Sequence, residues 1–363
     1  MRVLVVGAGI AGLALVRALS QRGLTAEVVE RENVWQVGGA GLYLPGNAVR
    51  ALAGLGVGWA VGARANQIGR QRILDHRGRL LAEIDVDRYW EGVGGCVAIQ
   101  RAALHEVLRD ATAEVPVRLG VSVTALENGD APSVTFSDGS TGRYDLIVGA
   151  DGVHSTIRRL ALGGPTARYV GQACWRFVAD GFPDSRDWTV MLGRGSTFLT
   201  VALGQELVYC YADVNTSDPA GAARGDWRGL FAEFADPVPR LLHEAAEAYF
   251  AVIEEVVTPA WTSGHVVLVG DAAHASSPNM AQGAAMAVED VLVLAELLTA
   301  DSSLDRALAG YEERRKARVA WGQEQTHRRD RTRNLPPIVR NLTLRLAAER
   351  IFRSNYGPLR ELP

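Results

Sequence analysis

The hydrophobic pattern of this 363-residue chain changes period several times, and each change predicts an element. Residues 2–6, RVLVV, are a short β-branched run, which reads as a strand buried on both faces. Over residues 10–22 the apolar positions Ala11, Leu13, Ala14, Val16 and Leu19 recur with helical spacing. Residues 25–30, TAEVVE, predict a second strand. A hairpin follows over 71–86, with DHRG as its turn, and then a helix over 99–113. Several short strands over 117–150 end in YDLIVGADG. Residues 168–213 are the most strand-like part, with QACWRFVAD, WTVMLG, STFLTVAL and ELVYCYAD each bounded by Gly, Asp or Pro. The pattern returns to helix over 227–248, to a buried strand over 264–270 and to helix over 283–299. The remainder is helical, broken at Pro336 and Pro337.

This order predicts an α/β protein in which one unit is interrupted by another. A βαβ-type domain takes residues 1–70, 95–165 and 264–300. An antiparallel-sheet domain takes 71–94 and 166–263, and C-terminal helices take 301–363.

Composition narrows the class. A hydrophobic content of 48% with 22% charged residues is that of an ordinary globular protein, and a net charge of −3 gives no reason to expect nucleic acid. The charge is uneven, since residues 301–363 carry 14 basic and 8 acidic side chains; a solvated helical face accounts for that excess. Within it, Leu342, Leu344, Leu346, Ile351 and Phe352 interleave with Arg340, Arg345, Arg350 and Arg353, which predicts a packed helix without stable membrane insertion. Cys96, Cys174 and Cys210 are far apart, which argues against a disulfide framework or a metal site and fits a cytoplasmic location. The apolar N-terminus does not read as a leader, because Gly7, Gly9 and Gly12 interrupt it at meaningful spacing, and no run is long enough to predict a transmembrane helix.

That spacing is the first chemical signal. In Gly7-Ala8-Gly9-Ile10-Ala11-Gly12, Gly7 permits a tight turn, Gly9 lets the backbone approach a pyrophosphate, and Gly12 lets helix and strand pack closely. The helix N-terminus offers free N–H groups to phosphates, and Glu30 ends the second strand, where an acid hydrogen-bonds ribose hydroxyls. This is a Rossmann-type dinucleotide site; alone it does not distinguish FAD from NAD. Two further motifs do. Asp151-Gly152 ends LIVGADG and is followed by Ser155 and Arg158, and Gly270-Asp271-Ala272-Ala273-His274 ends VVLVG.

With these three motifs in this order over nearly its whole length, the chain resembles the class A flavoprotein monooxygenases, the family of the p-hydroxybenzoate and salicylate hydroxylases. The resemblance implies a Rossmann-type FAD-binding domain, with Gly7, Gly9 and Gly12 at the diphosphate, Glu30 on the adenosine ribose and Arg31 at the same end. It implies that Arg101 reaches FAD from the side, that Asp151 serves FAD and the nicotinamide cofactor, and that Asp271 binds the ribityl chain. Ala281, Gln282, Gly283 and Ala284 then open a helix aimed at the flavin's pyrimidine end, where a helix N-terminus stabilises the reduced anion by about 0.3–2 kcal/mol. His274 reads as a packed histidine. Two positions depart from the family's common form: Ala281 stands where a glycine is usual and Ala285 where an asparagine is usual, so transfer of a substrate from any one relative is unsafe.

The implied reaction is reduction of FAD by NAD(P)H, with NADPH favoured, followed by addition of O2 and hydroxylation of an electron-rich aromatic or polycyclic small molecule by the flavin C4a-hydroperoxide. The second sheet is expected to form the pocket. Along ELVYCYAD, Leu207, Tyr209 and Tyr211 share a face; along QACWRFV, Cys174, Arg176 and Val178 share one and Trp175 and Phe177 the other. Arg176 and Tyr211 are the candidate catalytic residues, and Arg176, Phe198, Tyr209, Tyr211 and Pro278 the candidate substrate contacts. No metal-ligand or Ser–His–Asp set is present. The expected state is a monomer or homodimer. A flavoprotein that sequesters a ligand without oxygenating it is the alternative. A flavin halogenase is remote, since the WxWxIP stretch and the catalytic lysine before mid-chain are missing and the sole lysine, Lys316, lies near the end.

Overall fold

A computed structural model describes residues 1–35, 40–182, 185–245, 247–300 and 303–363. Its centre is a six-stranded sheet in the order Thr262–Ser263, Val266–Leu268, Leu146–Gly149, Val3–Val6, Ala26–Glu30 and Val117–Leu119. All neighbours are parallel except the short edge strand Thr262–Ser263. Val3–Val6 and Leu146–Gly149 are buried at every position, as continuous apolar runs in a covered parallel sheet should be. From Val3–Val6 the chain crosses to Ala26–Glu30 on one side, and Leu146–Gly149 returns on the other. A crevice therefore opens over the carboxyl ends of these strands, where α/β sheets bind ligands.

A second sheet of seven strands runs in the order Tyr249–Glu255, Arg168–Ala179, Leu207–Asn215, Ser196–Gly204, Asp187–Leu192, Arg70–Asp75 and Leu80–Asp85. One junction departs from the antiparallel pattern: Asp187–Leu192 runs parallel to Arg70–Asp75. The two faces bury different cores. Cys174, Val201, Tyr209 and Tyr211 join the core of the parallel sheet. Trp175, Phe177, Met191, Phe198 and Cys210 point away and pack with Trp227, Phe231 and Leu241; the Trp175 and Trp227 rings stack at 5.3 Å.

The helix expected over 227–248 is not continuous. A 3-10 turn, Trp227–Phe231, is separated from the short helix Val238–Glu244 by a stretch with Pro237, and Pro239 lies in the helix's first turn. A proline inside a helix removes a backbone donor and clashes with the preceding turn. Tyr249–Glu255 is an edge strand to which the sequence pattern assigns no element; it follows directly on Ala- and Glu-rich residues that favour helix.

The helix Leu304–Arg333, about 45 Å long at 1.5 Å per residue, straps the two sheets together. Its Tyr311 hydroxyl donates to the Leu268 carbonyl at 3.0 Å, Gln323 Nε2 donates to Val256 O at 2.9 Å, and Arg333 pairs with Asp213. The following helix, Pro337–Tyr356, packs only in part as expected. Phe352 is buried against Tyr89 at 4.9 Å and Leu344 packs beside Ile73, Leu81 and Val190, but Leu342 and Leu346 are 56% and 78% exposed.

Under the strap lies a charge network that is almost fully buried. Arg315, at 0% exposure, donates from Nε to Asp290 Oδ1 at 2.8 Å and from Nη1 to Glu289 Oε2 at 3.0 Å. Arg318 grips Glu289 with two bonds at 2.7 and 2.8 Å. Asp290 Oδ2 accepts from the Gly270 backbone N–H at 2.9 Å and pairs with His274 Nε2 at 2.6 Å. Removing one partner from such a set strands the others without solvent. Arg315→Met is expected to cost about 3–5 kcal/mol in urea denaturation, whereas Lys316→Ala, which loses a half-exposed pair with Glu312, should cost less than about 1 kcal/mol. Burial alone would raise the Asp290 carboxyl, but His274 and Arg315 outweigh it and hold the folded-state pKa below the ordinary value. Its contribution to stability is thus present above the unfolded-state pKa and lost as pH falls through the folded one. Asp290→Asn should lower Tm at neutral pH and flatten the acid side of the Tm–pH curve.

Candidate cofactor and substrate site

All three glycine- and aspartate-bearing motifs leave the carboxyl ends of adjacent parallel strands. Gly7 follows Val3–Val6, Asp151 lies just past Leu146–Gly149, and Gly270 just past Val266–Leu268. They are stitched together by backbone bonds, Ala150 N to Val6 O at 2.9 Å and Val269 N to Gly149 O at 3.0 Å.

The glycine loop has the spatial requirements that its spacing predicts. Gly7 has φ +104°, and a Cβ there would lie 2.5 Å from the Ala150 carbonyl oxygen. A Cβ at Gly12 would lie 1.9 Å from the Gly7 oxygen. A Cβ at Gly9 would meet nothing within 4 Å, so the space over Gly9 is open to a ligand. The helix Ile10–Ser20 has no side-chain cap and no acid in its first turn, which leaves its N–H groups free for a diphosphate. Glu30 Oε2 accepts from Ala8 N at 2.8 Å, so this carboxylate also holds the loop. Arg31 is exposed beside Glu32. A residue that periodicity did not single out supports the loop from below: His105 Nε2 lies 2.9 Å from the Ala8 carbonyl, and burial lowers its pKa, so it is a neutral donor.

Asp151 Oδ2 caps the helix Thr156–Leu162, accepting from Thr156 N at 2.7 Å and Ile157 N at 3.1 Å, while Oδ1 is buried without a partner. Burial raises its pKa. Arg158 ties this motif to the next, donating to Val153 O and Ala272 O at 2.7 Å each and to Pro165 O at 2.9 Å. His274 is buried against Trp261 and paired with Asp290, so it serves packing.

Asp271 is exposed at the opening, and a Cβ placed on Gly283 would lie 3.9 Å from its Oδ1, so Asp271 and the start of the helix Gly283–Ala300 share one rim. Pro278 is exposed on the turn Pro278–Met280 just before it. Ala281 has φ +50°, a left-handed conformation that favours glycine and accounts for the glycine usual there. Ala284 is partly buried behind Gly283. Gln282 is buried and locked to Asn47: the Asn47 amide donates to Gln282 Oε1 at 2.9 Å and Gln282 Nε2 returns a bond at 3.3 Å. Asn47 also donates to Glu289 at 3.2 Å, so the helix start is set by the buried charge network.

Across the crevice stands the inner face of the second sheet. Arg176 lies opposite Tyr211 in register, its guanidinium 5.7 Å from that ring. Among the described residues no carboxylate pairs with Arg176, and its Nε is buried without a partner. The Tyr211 hydroxyl is also buried without a partner. Tyr209 packs over Gly41, where a Cβ would lie 2.5 Å from its ring. Arg101 opens the helix Arg101–Asp110; its Nε is unpartnered, and burial lowers its pKa, with Asp271 opposing the shift and Arg176 adding to it. Phe198 corrects the expected substrate set. It is 1% exposed on the outer face, 5.8 Å from Phe231, because it alternates out of phase with the inward residues.

An uncapped helix over open space at Gly9, with orphaned polar atoms on Arg101 and Asp151, fits a bound dinucleotide, and the fold is that of a flavin-dependent monooxygenase. The chain belongs to the FAD binding domain family, which it matches over residues 1–189 and 207–326. It is 34% identical over 323 residues to the aurachin C monooxygenase/isomerase of Stigmatella aurantiaca, covering 86% of this chain and 84% of that one. It is 32% identical over 341 residues to the 2-heptyl-3-hydroxy-4(1H)-quinolone synthase of Pseudomonas aeruginosa, covering 90% and 88%. Klebsiella pneumoniae HpxO in complex with FAD and uric acid superposes with a TM-score of 0.89 at 26% identity, over 99% of this chain and 97% of that one. The protein is an FAD-dependent monooxygenase, and these relatives speak against both the sequestering and the halogenase readings.

Two glycine substitutions should separate. Gly9→Glu is expected to leave a folded protein that purifies without its yellow cofactor, because the side chain fills the open space. Gly12→Ala should lower Tm sharply, because its Cβ meets backbone. Ala281→Gly should raise stability by about 1 kcal/mol in chemical denaturation by relieving the left-handed alanine.

Proposed function

We propose that this enzyme hydroxylates an electron-rich aromatic or heteroaromatic ring that carries an acidic oxygen, bound through Arg176. The placement of Arg176 carries this reading: its Nε is buried without a partner and, among the described residues, no carboxylate pairs with it, so that, unlike Arg158, which is taken up by backbone carbonyls, it is available to an anion. Arg101 adds a second positive charge to the same crevice. The names of the relatives point the same way, being those of a quinolone synthase, a urate hydroxylase and an aminohydroxybenzoate monooxygenase.

FAD would be held by the glycine loop, Glu30, Arg101, Asp151, Asp271 and residues 281–284, drawn from the segments 1–70, 95–165 and 264–300. Bound there and reduced by NAD(P)H, the flavin would supply the chemistry that activates O2. The protein's own part is to bind and orient the ring and to exclude water. Arg176 holds the anionic oxygen, which keeps the ring electron-rich. Burial raises the Tyr211 phenol well above its ordinary value and pushes Tyr209 up to about 12, so both keep their protons and serve as donors, not bases. Pro278, at the mouth of the cofactor helix, would bound the pocket from the flavin side. Three buried, unbridged cysteines support a reducing, cytoplasmic setting.

Candidate phenols, quinolones and purines are to be scored for faster NAD(P)H oxidation and for a product one oxygen heavier. Acidic aromatics should respond, and gain of oxygen only by non-aromatic compounds would overturn the assignment. Arg176→Ala should raise KM for the best substrate by about ten-fold or more, with FAD occupancy unchanged and Arg176→Lys restoring part of the loss.

A further inference from the structure

The helix Pro337–Tyr356 is apolar on two sides. Its inner side holds Leu344, Ala348 and Phe352, and Arg340 fastens it to the second sheet by donating to Gly193 O at 2.7 Å and Leu192 O at 3.2 Å. Its outer side carries Ile338, Val339, Leu342 and Leu346, which are 85%, 50%, 56% and 78% exposed. At 100° per residue these four span an arc of about 100°, with Leu335 extending it at the N-terminal end. Arg345 borders one edge of that arc and Arg350 the other, about 140° apart, and Arg331 lies before its start. Among the described residues none of these three arginines makes an ion pair, and the one acid on this side, Glu349, is already paired with Arg353 at 2.9 Å. A solvated polar face would explain the arginines but not four exposed aliphatic side chains between them.

We propose that this face docks peripherally on an anionic lipid surface. Aliphatic residues flanked by free arginines are the composition of a helix lying in the plane of a headgroup layer. The stripe has no aromatic anchor of the kind that dominates protein interfaces, and a second copy would bring the same positive rim against it. No helix of the described residues is long and apolar enough to cross a membrane, so the attachment is one of surface charge and shallow burial.

The test is sedimentation of the FAD-loaded enzyme with vesicles of phosphatidylcholine, with and without phosphatidylglycerol. Binding to the anionic vesicles, weakened by salt, is expected. Arg345→Ala and Arg350→Ala should each weaken it by about five-fold, and Leu342→Ser with Leu346→Ser by about ten-fold or more. Flavin absorbance and Tm of these variants should match the parent, since the side chains are exposed. No sedimentation with either vesicle, or equal binding to neutral and anionic vesicles, overturns the proposal. So does a dimer in solution that Leu346→Ser dissolves while vesicles bind nothing. Failure here leaves the oxygenase reading untouched, because that reading is tested on soluble turnover.

Discussion

The buried carboxylates Glu289 and Asp290 organise the cofactor half of this protein. Two adjacent acids at 1% and 0% exposure are tolerable only if every oxygen has a donor, and the fold supplies them from far-apart segments. Asp290 takes the Gly270 N–H, His274 and Arg315, and so fixes the turn that presents Asp271. Glu289 takes Asn47, Arg315 and Arg318, and through Asn47 it orients Gln282 at the start of the helix Gly283–Ala300. Arg318 also donates to the carbonyls of Pro358 and Leu359, which draws in the C-terminal turn. The strap helix is therefore a source of cations for the site's foundations, and much of its basic character is spent inside the molecule.

The substrate side obeys a different constraint. A strand has only two faces, and the second sheet uses both. Its outer face is closed by an aromatic core around Trp227 and Phe231, which makes it inert. Its inner face turns Tyr209, Tyr211 and Arg176 toward the crevice, where unsatisfied polar atoms collect. Those unpaired atoms stand where substrate and cofactor are expected, whereas the buried Arg158, Arg315 and Arg340 are each hydrogen-bonded to protein oxygens.

Legibility differed between the halves for a physical reason. The three motifs read clearly because each depends on local steric demands: Gly7 needs positive φ, Gly12 has no room for a Cβ, and the aspartates follow buried strands directly. The alternation along Leu207–Asn215 and Arg168–Ala179 likewise sorted Tyr209, Tyr211 and Arg176 from Trp175 and Phe177. Phe198 was misplaced because alternation says which residues share a face, not which face of a two-sided sheet meets the crevice. The roles of His105, Asn47 and Arg315 had no sequence signal, since each acts on a partner that is distant in the chain.

The βαβ start, the order of the motifs and the presence of a second sheet were legible in the residues alone, because they rest on contacts between near neighbours or on a strict two- or 3.6-residue period, while FAD was implied by the family resemblance of the three motifs. Which face of that sheet closes the crevice, that Tyr249–Glu255 pairs as an edge strand, and that Leu342 and Leu346 face outward while Leu344 and Phe352 pack were set by the three-dimensional fold. Burial of a side chain depends on what is placed against it, and that is set by the docking of whole elements rather than by the pattern within any one of them.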